Sequence, residues 1–356
     1  MDAPARLALT GGGYRAGRFL DLLARLPGLF EVTGVLARSD ATAAAVAARG
    51  LPVHRDLDGL LRAAPELVLV SVPAAAAPGL VRDLVGRGAA VLTETPPAAG
   101  LAGLRELWEL HERVQVAEQY LLFPHQAARR ALVRRGLLGT PTSVQVSSTQ
   151  LHHATSLIRG FLGLGAGPVR VTASATTSPL ADPIDRGGWT GRAEPRPRTT
   201  TIATFDVGDG RSALYDFTDT QTRNPLRTRR TVVRGSLGEI VDDTVVRLVD
   251  ARTVVTSRIE RRQTGHHQDV QGADLDHLSF EGEAVFRNPH VGARLNDEEI
   301  ALAGLLQRAA AWARGEGPGP YPLAEAAQDQ LLALAVGESL ATGGPVTTGV
   351  EAWGRA

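Results

Sequence analysis

Over the first 120 residues, short apolar runs alternate with stretches of helical spacing. Leu7–Leu9, Val32–Leu36, Leu67–Val72, Ala89–Thr93 and Val114–Glu118 are predicted strands. The run Leu67-Val68-Leu69-Val70 carries no charge, which suits a strand covered on both faces of a parallel sheet. Helices are predicted at Ala16–Leu26, where Phe19, Leu20, Leu23 and Leu26 share one side, and at Ala41–Arg49, Leu80–Arg87 and Leu101–Glu112. Strand and helix in alternation predict a doubly wound parallel sheet of the Rossmann type, an α/β domain over residues 1–123.

After Phe123-Pro124 the texture changes. A helix at His125–Arg135 stops at Gly136, an alternating strand follows at Thr142–Ser148, and a short helix runs from Thr155 to Leu162. Strands are then predicted at Val169–Ala175, Thr199–Phe205, Ser212–Phe217, Thr231–Arg234 and Val245–Val249, and helices at Asp297–Ala313 and Leu323–Leu340. Helices set apart from a run of strands predict an α+β domain over residues 124–356 with a large open, mostly antiparallel sheet. The last helix is expected to pack back on the N-terminal domain. The Pro/Gly/Arg-rich stretch from Asp182 to Arg198 is the expected mobile loop.

Composition narrows the function class. Thirty-eight basic residues balance thirty-eight acidic ones among 356, so no global field draws in nucleic acid or an anionic membrane. The arginine runs at 129–130, 134–135 and 227–230 read as solvated or interface charges. There is no cysteine, which removes disulfides, thiolate nucleophiles and zinc–thiolate sites. No signal peptide or membrane-length apolar run is visible, so a soluble, cytoplasmic protein is expected. Adjacent histidines His266-His267 point too far apart to share one ion, and no metal site is expected.

The chemistry-bearing motif is Leu9-Thr10-Gly11-Gly12-Gly13-Tyr14-Arg15-Ala16, between the first strand and the first helix. It fits G-x-G-x-x-G/A with Gly11, Gly13 and Ala16 in the three small-residue places. Gly11 allows the tight turn, Gly13 lets a pyrophosphate reach helix N-terminal amides, and Ala16 lets helix and strand pack closely. A glycine-rich loop without ligand is the plainer alternative. The second strand ends Leu36-Ala37-Arg38-Ser39-Asp40, with Ala37 where an acid would hold a ribose 2′-hydroxyl. Arg38 and Ser39 could instead hold a 2′-phosphate, which favours NADP over NAD. Arg38 could also stack on adenine, and Asp40 could still reach a ribose hydroxyl.

Three further segments resemble the Gfo/Idh/MocA family of oxidoreductases. They are Val91-Leu92-Thr93-Glu94-Thr95-Pro96, like the family's Glu-Lys-Pro signature; Glu118-Gln119-Tyr120-Leu121-Leu122-Phe123-Pro124, like its crossing segment; and His153-Ala154-Thr155-Ser156-Leu157-Ile158-Arg159-Gly160, like its His-x-x-Asp helix. The resemblance implies an NAD(P)-dependent dehydrogenase or reductase acting on a CH–OH group of a sugar, cyclitol or similar small polar metabolite. It implies His153 as proton acceptor, with Thr95 and Tyr120 near the reacting carbon and His152 as a possible helper. It also implies Tyr14, Arg15, Pro73, Glu94 and Gln119 along the cofactor, and a homodimer or homotetramer formed through the C-terminal sheet.

Two departures stand out: Thr95 replaces the family's lysine, and Ser156 replaces its aspartate. Losing a fixed ammonium removes an electrostatic donor commonly worth a few kcal/mol in a transition state. Two alternatives therefore stay open. One is internal-redox chemistry on tightly held NAD, as in a lyase, epimerase or glycosidase-like enzyme; the other is a dinucleotide-binding regulator without catalysis. Asp216, Asp219 and Arg223, beside the Ser212–Phe217 run, read either as substrate ligands or as edge-strand charges.

Overall fold

The computed structural model describes residues 3–265 and 271–355. His266 and His267 lie outside the described residues. The chain divides into two compact units, the first made of Met1–Phe123, Thr264–Leu275 and Asn288–Ala327, the second of Pro124–Gln263, Asp276–Arg287 and Gln328–Ala356.

The first unit holds six strands: β1 (Ala5–Thr10), β2 (Phe30–Leu36), β3 (Val53–His54), β4 (Leu67–Val70), β5 (Val91–Thr93) and β6 (Val114–Val116). All are parallel, in the order β3-β2-β1-β4-β5-β6. Helices α1 (Tyr14–Arg25), α2 (Asp40–Ala47), α3 (Leu57–Arg62), α4 (Ala77–Val85) and α5 (Leu101–Trp108) connect them. Leu7, Leu9, Leu67, Leu69 and Leu92 are fully buried, as strands sandwiched between helices require. Strand order reverses between β1 and β4, and at such a switch point a crevice opens beyond the carboxyl ends of the strands. Helix α5 stops at Trp108, short of the expected Glu112. His111 stacks on Trp108, and its Nδ1 lies 2.8 Å from the Trp108 carbonyl at the helix end.

The second unit begins with α6 (Pro124–Arg134), β7 (Pro141–Ser147), α7 (Leu151–Leu162) and β8 (Arg170–Leu180). A small hairpin, β9 (Ile184–Asp185) and β10 (Gly188–Trp189), precedes β11 (Arg196–Gly208) and β12 (Arg211–Thr218). Then come β13 (Arg230–Gly235), β14 (Gly238–Val241), β15 (Thr244–Asp250), β16 (Thr253–Thr264), β17 (Asp274–Phe280) and β18 (Glu283–Arg287). With β19 (Val346–Thr347) they form an eleven-stranded sheet in the order β18-β17-β16-β15-β14-β13-β7-β12-β11-β8-β19. Among the described pairings of this sheet all are antiparallel except that between β7 and β12. Ala203, Phe205, Ala213 and Tyr215 are buried on one face, while Ile202 and Thr204 are exposed on the other.

The stretch from Asp182 to Arg198, expected as loop, contains the β9–β10 hairpin and the start of β11. Pairing of Arg196 to Arg198 with Ser178 to Leu180 and an Arg198–Asp182 ion pair at 3.1 Å draw it into structure. Helix α7 starts at Leu151 instead of Thr155, because Gln150 is the extended residue that opens it.

Two helices close the chain, α8 (Asp297–Ala313) and α9 (Leu323–Thr342). Helix α8 belongs wholly to the first unit, where it touches α1, β1 and β4. It opens with a capping box between Asn296 and Glu299. Glu299 also takes Arg25 at 2.8 Å and Arg18 at 3.6 Å. Helix α9 starts in the first unit and continues from Gln328 in the second. No helix among the described residues is long and apolar enough to cross a membrane.

Candidate active site

The glycine turn sits between β1 and α1. Gly11 has φ +98°, a left-handed conformation, and a Cβ there would collide with the Ser71 carbonyl. Gly13 differs: its backbone is extended, and a Cβ built on it meets nothing within 4 Å. Gly13 is the N-cap of α1, no side chain caps the helix, and no acid lies in its first turn. The first amides of any helix have no acceptor within the helix, and the helix dipole favours an anion at this end. Tyr14 is largely exposed and Ala16 is buried against the sheet.

Beyond the turn a cavity of about 350 Å³ is lined by Thr10, Gly11, Gly12, Arg38, Ser39 and Thr42, with Val72, Leu80 and Asp83 across from them in sequence. Arg38 is exposed and makes no ion pair or side-chain hydrogen bond among the described residues. Ser39 is the N-cap of α2 and accepts from the Thr42 amide at 3.2 Å. Asp40 is engaged by Arg55 at 2.8 Å, and Arg55 also donates to the Ala37 carbonyl. Sequence reasoning missed Arg55 because it belongs to the turn after β3, a strand of two residues. Pro73 is exposed one position beyond Val72, and Val72 itself lines the cavity.

Arg15 and Glu94 meet at the ends of α1 and β5. Arg15 Nε donates to Glu94 at 2.9 Å, Nη1 donates to Glu298 of α8 at 2.6 Å, and the guanidinium lies over the Phe19 ring. Burial alone would lower the Arg15 pKa, but the two carboxylates outweigh it and hold it above the ordinary value. Burial pushes the Glu94 carboxyl up, Arg15 opposes this, and the charge of Glu118 adds to the rise. Thr95 and Pro96 follow, joined by a cis peptide bond. Buried Glu118 accepts from the Tyr120 amide at 2.8 Å, Tyr120 leans on the Phe123 ring, and Gln119 is buried with its Oε1 unpartnered.

His153 belongs to the second unit, in the first turn of α7, and is nearly buried beside the His152 ring, with centroids 4.1 Å apart. Ser156 is fully buried, and its hydroxyl donates to the His153 carbonyl at 2.8 Å. It therefore serves the helix backbone and does not stand in for a carboxylate. Asp219 and Arg223 line a cavity that reaches Gln150 and Leu151 at the start of α7. No group of three metal-ligating side chains exists among the described residues.

Comparison with known proteins fits this geometry. The model of the Gfo/Idh/MocA oxidoreductase family, NAD-binding Rossmann fold, matches residues 5–120. None of the curated proteins matches the chain in sequence. Among solved structures, an oxidoreductase from Agrobacterium radiobacter in complex with NAD+, L-tartaric acid and magnesium is 15% identical with a TM-score of 0.68, over 96% of this chain and 98% of that one. The WlbA dehydrogenase from Bordetella pertussis, in complex with NADH and UDP-GlcNAcA, is 15% identical with a TM-score of 0.64, over 99% of both chains. A myo-inositol dehydrogenase from Corynebacterium glutamicum is 17% identical with a TM-score of 0.64, over 97% of this chain and 99% of that one. At these identities the likeness establishes a shared two-domain fold.

Proposed function

We propose that the protein is an NAD(P)-dependent oxidoreductase acting on a hydroxyl or carbonyl carbon of a sugar, cyclitol or similar metabolite, a reading supported by the match of residues 5–120 to the NAD-binding model of the Gfo/Idh/MocA oxidoreductase family. The observation that carries the reading is the open cradle at Gly13, where an uncapped helix N-terminus faces space that a side chain would fill. The bound nicotinamide supplies the hydride chemistry. The α1 amides hold the pyrophosphate, and His153, whose imidazole can both accept and donate a proton, takes or returns the proton of the substrate hydroxyl. Dehydrogenases among the structural relatives support the substrate class.

NADP is the favoured coenzyme. Arg38 supports this, as an exposed guanidinium on the cavity wall with no ion pair among the described residues. Replacing Arg38 with alanine is expected to weaken NADPH binding about tenfold and leave NADH binding unchanged, since a charged hydrogen bond is worth about 1.5–3 kcal/mol. Fluorescence titration with both coenzymes checks this, and equal losses for the two would return the preference to NAD.

His153→Asn keeps a polar side chain of similar reach and is expected to lower turnover on a responsive polyol at least 100-fold with little change in coenzyme affinity. Turnover within threefold of the parent would remove His153 from the reaction. The proposal also includes a cytoplasmic setting, consistent with the absence of cysteine, and self-association through the open sheet face that exposes Ile202. Sedimentation analysis measures the latter.

A further inference from the structure

Helix α4 ends on a residue that its own geometry does not favour. Asp83 stands in the last turn of Ala77–Val85, where the helix dipole disfavours a negative side chain. The arginines nearest to it in sequence are engaged elsewhere. Arg82 is paired with Glu106, while Arg87 holds Asp58 at 3.2 Å and donates to the backbone carbonyl of Asp83 at 2.9 Å. The Asp83 carboxylate itself makes no ion pair or hydrogen bond among the described residues. A residue that breaks a local preference without a structural return marks a place to look for function.

Asp83 lines the cavity of about 350 Å³ beyond the glycine turn. That cavity therefore carries two charges of opposite sign, Arg38 and Asp83, neither of them paired among the described residues. The rest of its wall includes an apolar strip of Leu36, Val72, Ala76 and Leu80, and Leu80 lies one helical turn before Asp83 on the same face of α4. A flat heterocycle can lie on such a strip, and its edge then meets the polar group beside it. From α4 that group is the Asp83 carboxylate, and a carboxylate accepts hydrogen bonds and donates none. A base with an exocyclic amino group satisfies it. A base with a carbonyl oxygen at the same place sets one acceptor against another.

Resting on the reading of a dinucleotide coenzyme, we propose that Asp83 is a specificity-determining residue that reads the exocyclic amino group of the coenzyme's adenine and rejects a base with a carbonyl in its place. Arg38 and Asp83 then divide the adenosine end between them, the cation taking the 2′-phosphate and the anion the base. The full chain is titrated by fluorescence with NADPH and NADH, each beside its hypoxanthine counterpart, in which a carbonyl replaces the adenine amino group. The adenine form of the better coenzyme is expected to bind about tenfold more tightly than its hypoxanthine form. Asp83→Ala is expected to bring the two forms within about threefold of each other, chiefly by weakening the adenine form. The melting temperature is expected not to fall, because the side chain is exposed and holds nothing in place. Equal affinity for the two base forms in the parent, or discrimination that survives in Asp83→Ala, overturns the proposal and leaves the oxidoreductase reading standing. Discrimination that depends on Asp83, in a protein that leaves polyols and keto sugars unchanged, would uphold the assignment and sink the oxidoreductase reading instead. Uptake of neither coenzyme overturns both.

Discussion

Gly13→Val is expected to give a well-folded protein that no longer takes up a dinucleotide, whereas Gly11→Ala, the smaller change, is expected to damage the fold. Position 13 has extended backbone, and a Cβ there meets no protein atom within 4 Å. Its structural cost is that of a poorer N-cap, about 1 kcal/mol. Under the proposed function, what valine fills is the room for a pyrophosphate. Losing two charge-assisted bonds at about 1.5–3 kcal/mol each lowers affinity on the order of 100-fold or more. At Gly11 the strain of φ +98° adds roughly 1–2 kcal/mol, and the new Cβ strikes the Ser71 carbonyl. Ser71 is tied to β1 by its amide, 3.1 Å from the Thr10 carbonyl, so it cannot retreat without loosening the β1–β4 junction. Calorimetry and thermal melting on both variants separate the two effects. Undiminished dinucleotide affinity in Gly13→Val would mean that the pyrophosphate does not lie there.

The second large effect concerns the core of the second unit. Arg159 of α7 and Asp329 of α9 form an ion pair at 2.8 Å with both side chains at most 4% exposed. Breaking a buried ion pair by removing one member typically costs about 3–5 kcal/mol. Asp329→Ala is therefore expected to lower the urea midpoint by that much stability. The double change Arg159→Met with Asp329→Leu is expected to recover most of it, because two apolar groups of similar volume leave neither charge of the pair buried without the other. A single-variant loss under about 1 kcal/mol would show that water reaches the pair.

How far these features were legible depends on how local their causes are. The parallel sheet was readable because its strands are buried on both faces, and Leu67–Val70 advertises this directly. The glycine turn was readable because its requirements fall on consecutive residues. Strand β16 escaped because most of Thr253–Thr264 is exposed, so no apolar alternation marks it. The expectation for Asp40 as a ribose ligand met a partner in Arg55. The Arg15–Glu94–Glu298 cluster was invisible for another reason: it joins residues up to 283 positions apart, and no pattern along the chain encodes such a meeting. Glu94 and Arg15 were each singled out as cofactor contacts, without any sign that they bind each other.

Helix α8 is a late piece of the first unit, synthesised nearly two hundred residues after β6. Until the ribosome has delivered Asn296 to Ala313, the flank of β1 and β4 that α8 touches stays bare, and Arg25 lacks Glu299. Nascent chains at that stage are natural clients for holdase chaperones. An expression fragment cut at Phe123 freezes the protein in the same unfinished condition and is expected to aggregate. A soluble nucleotide-binding half would have to carry residues 288–327 grafted on through a linker.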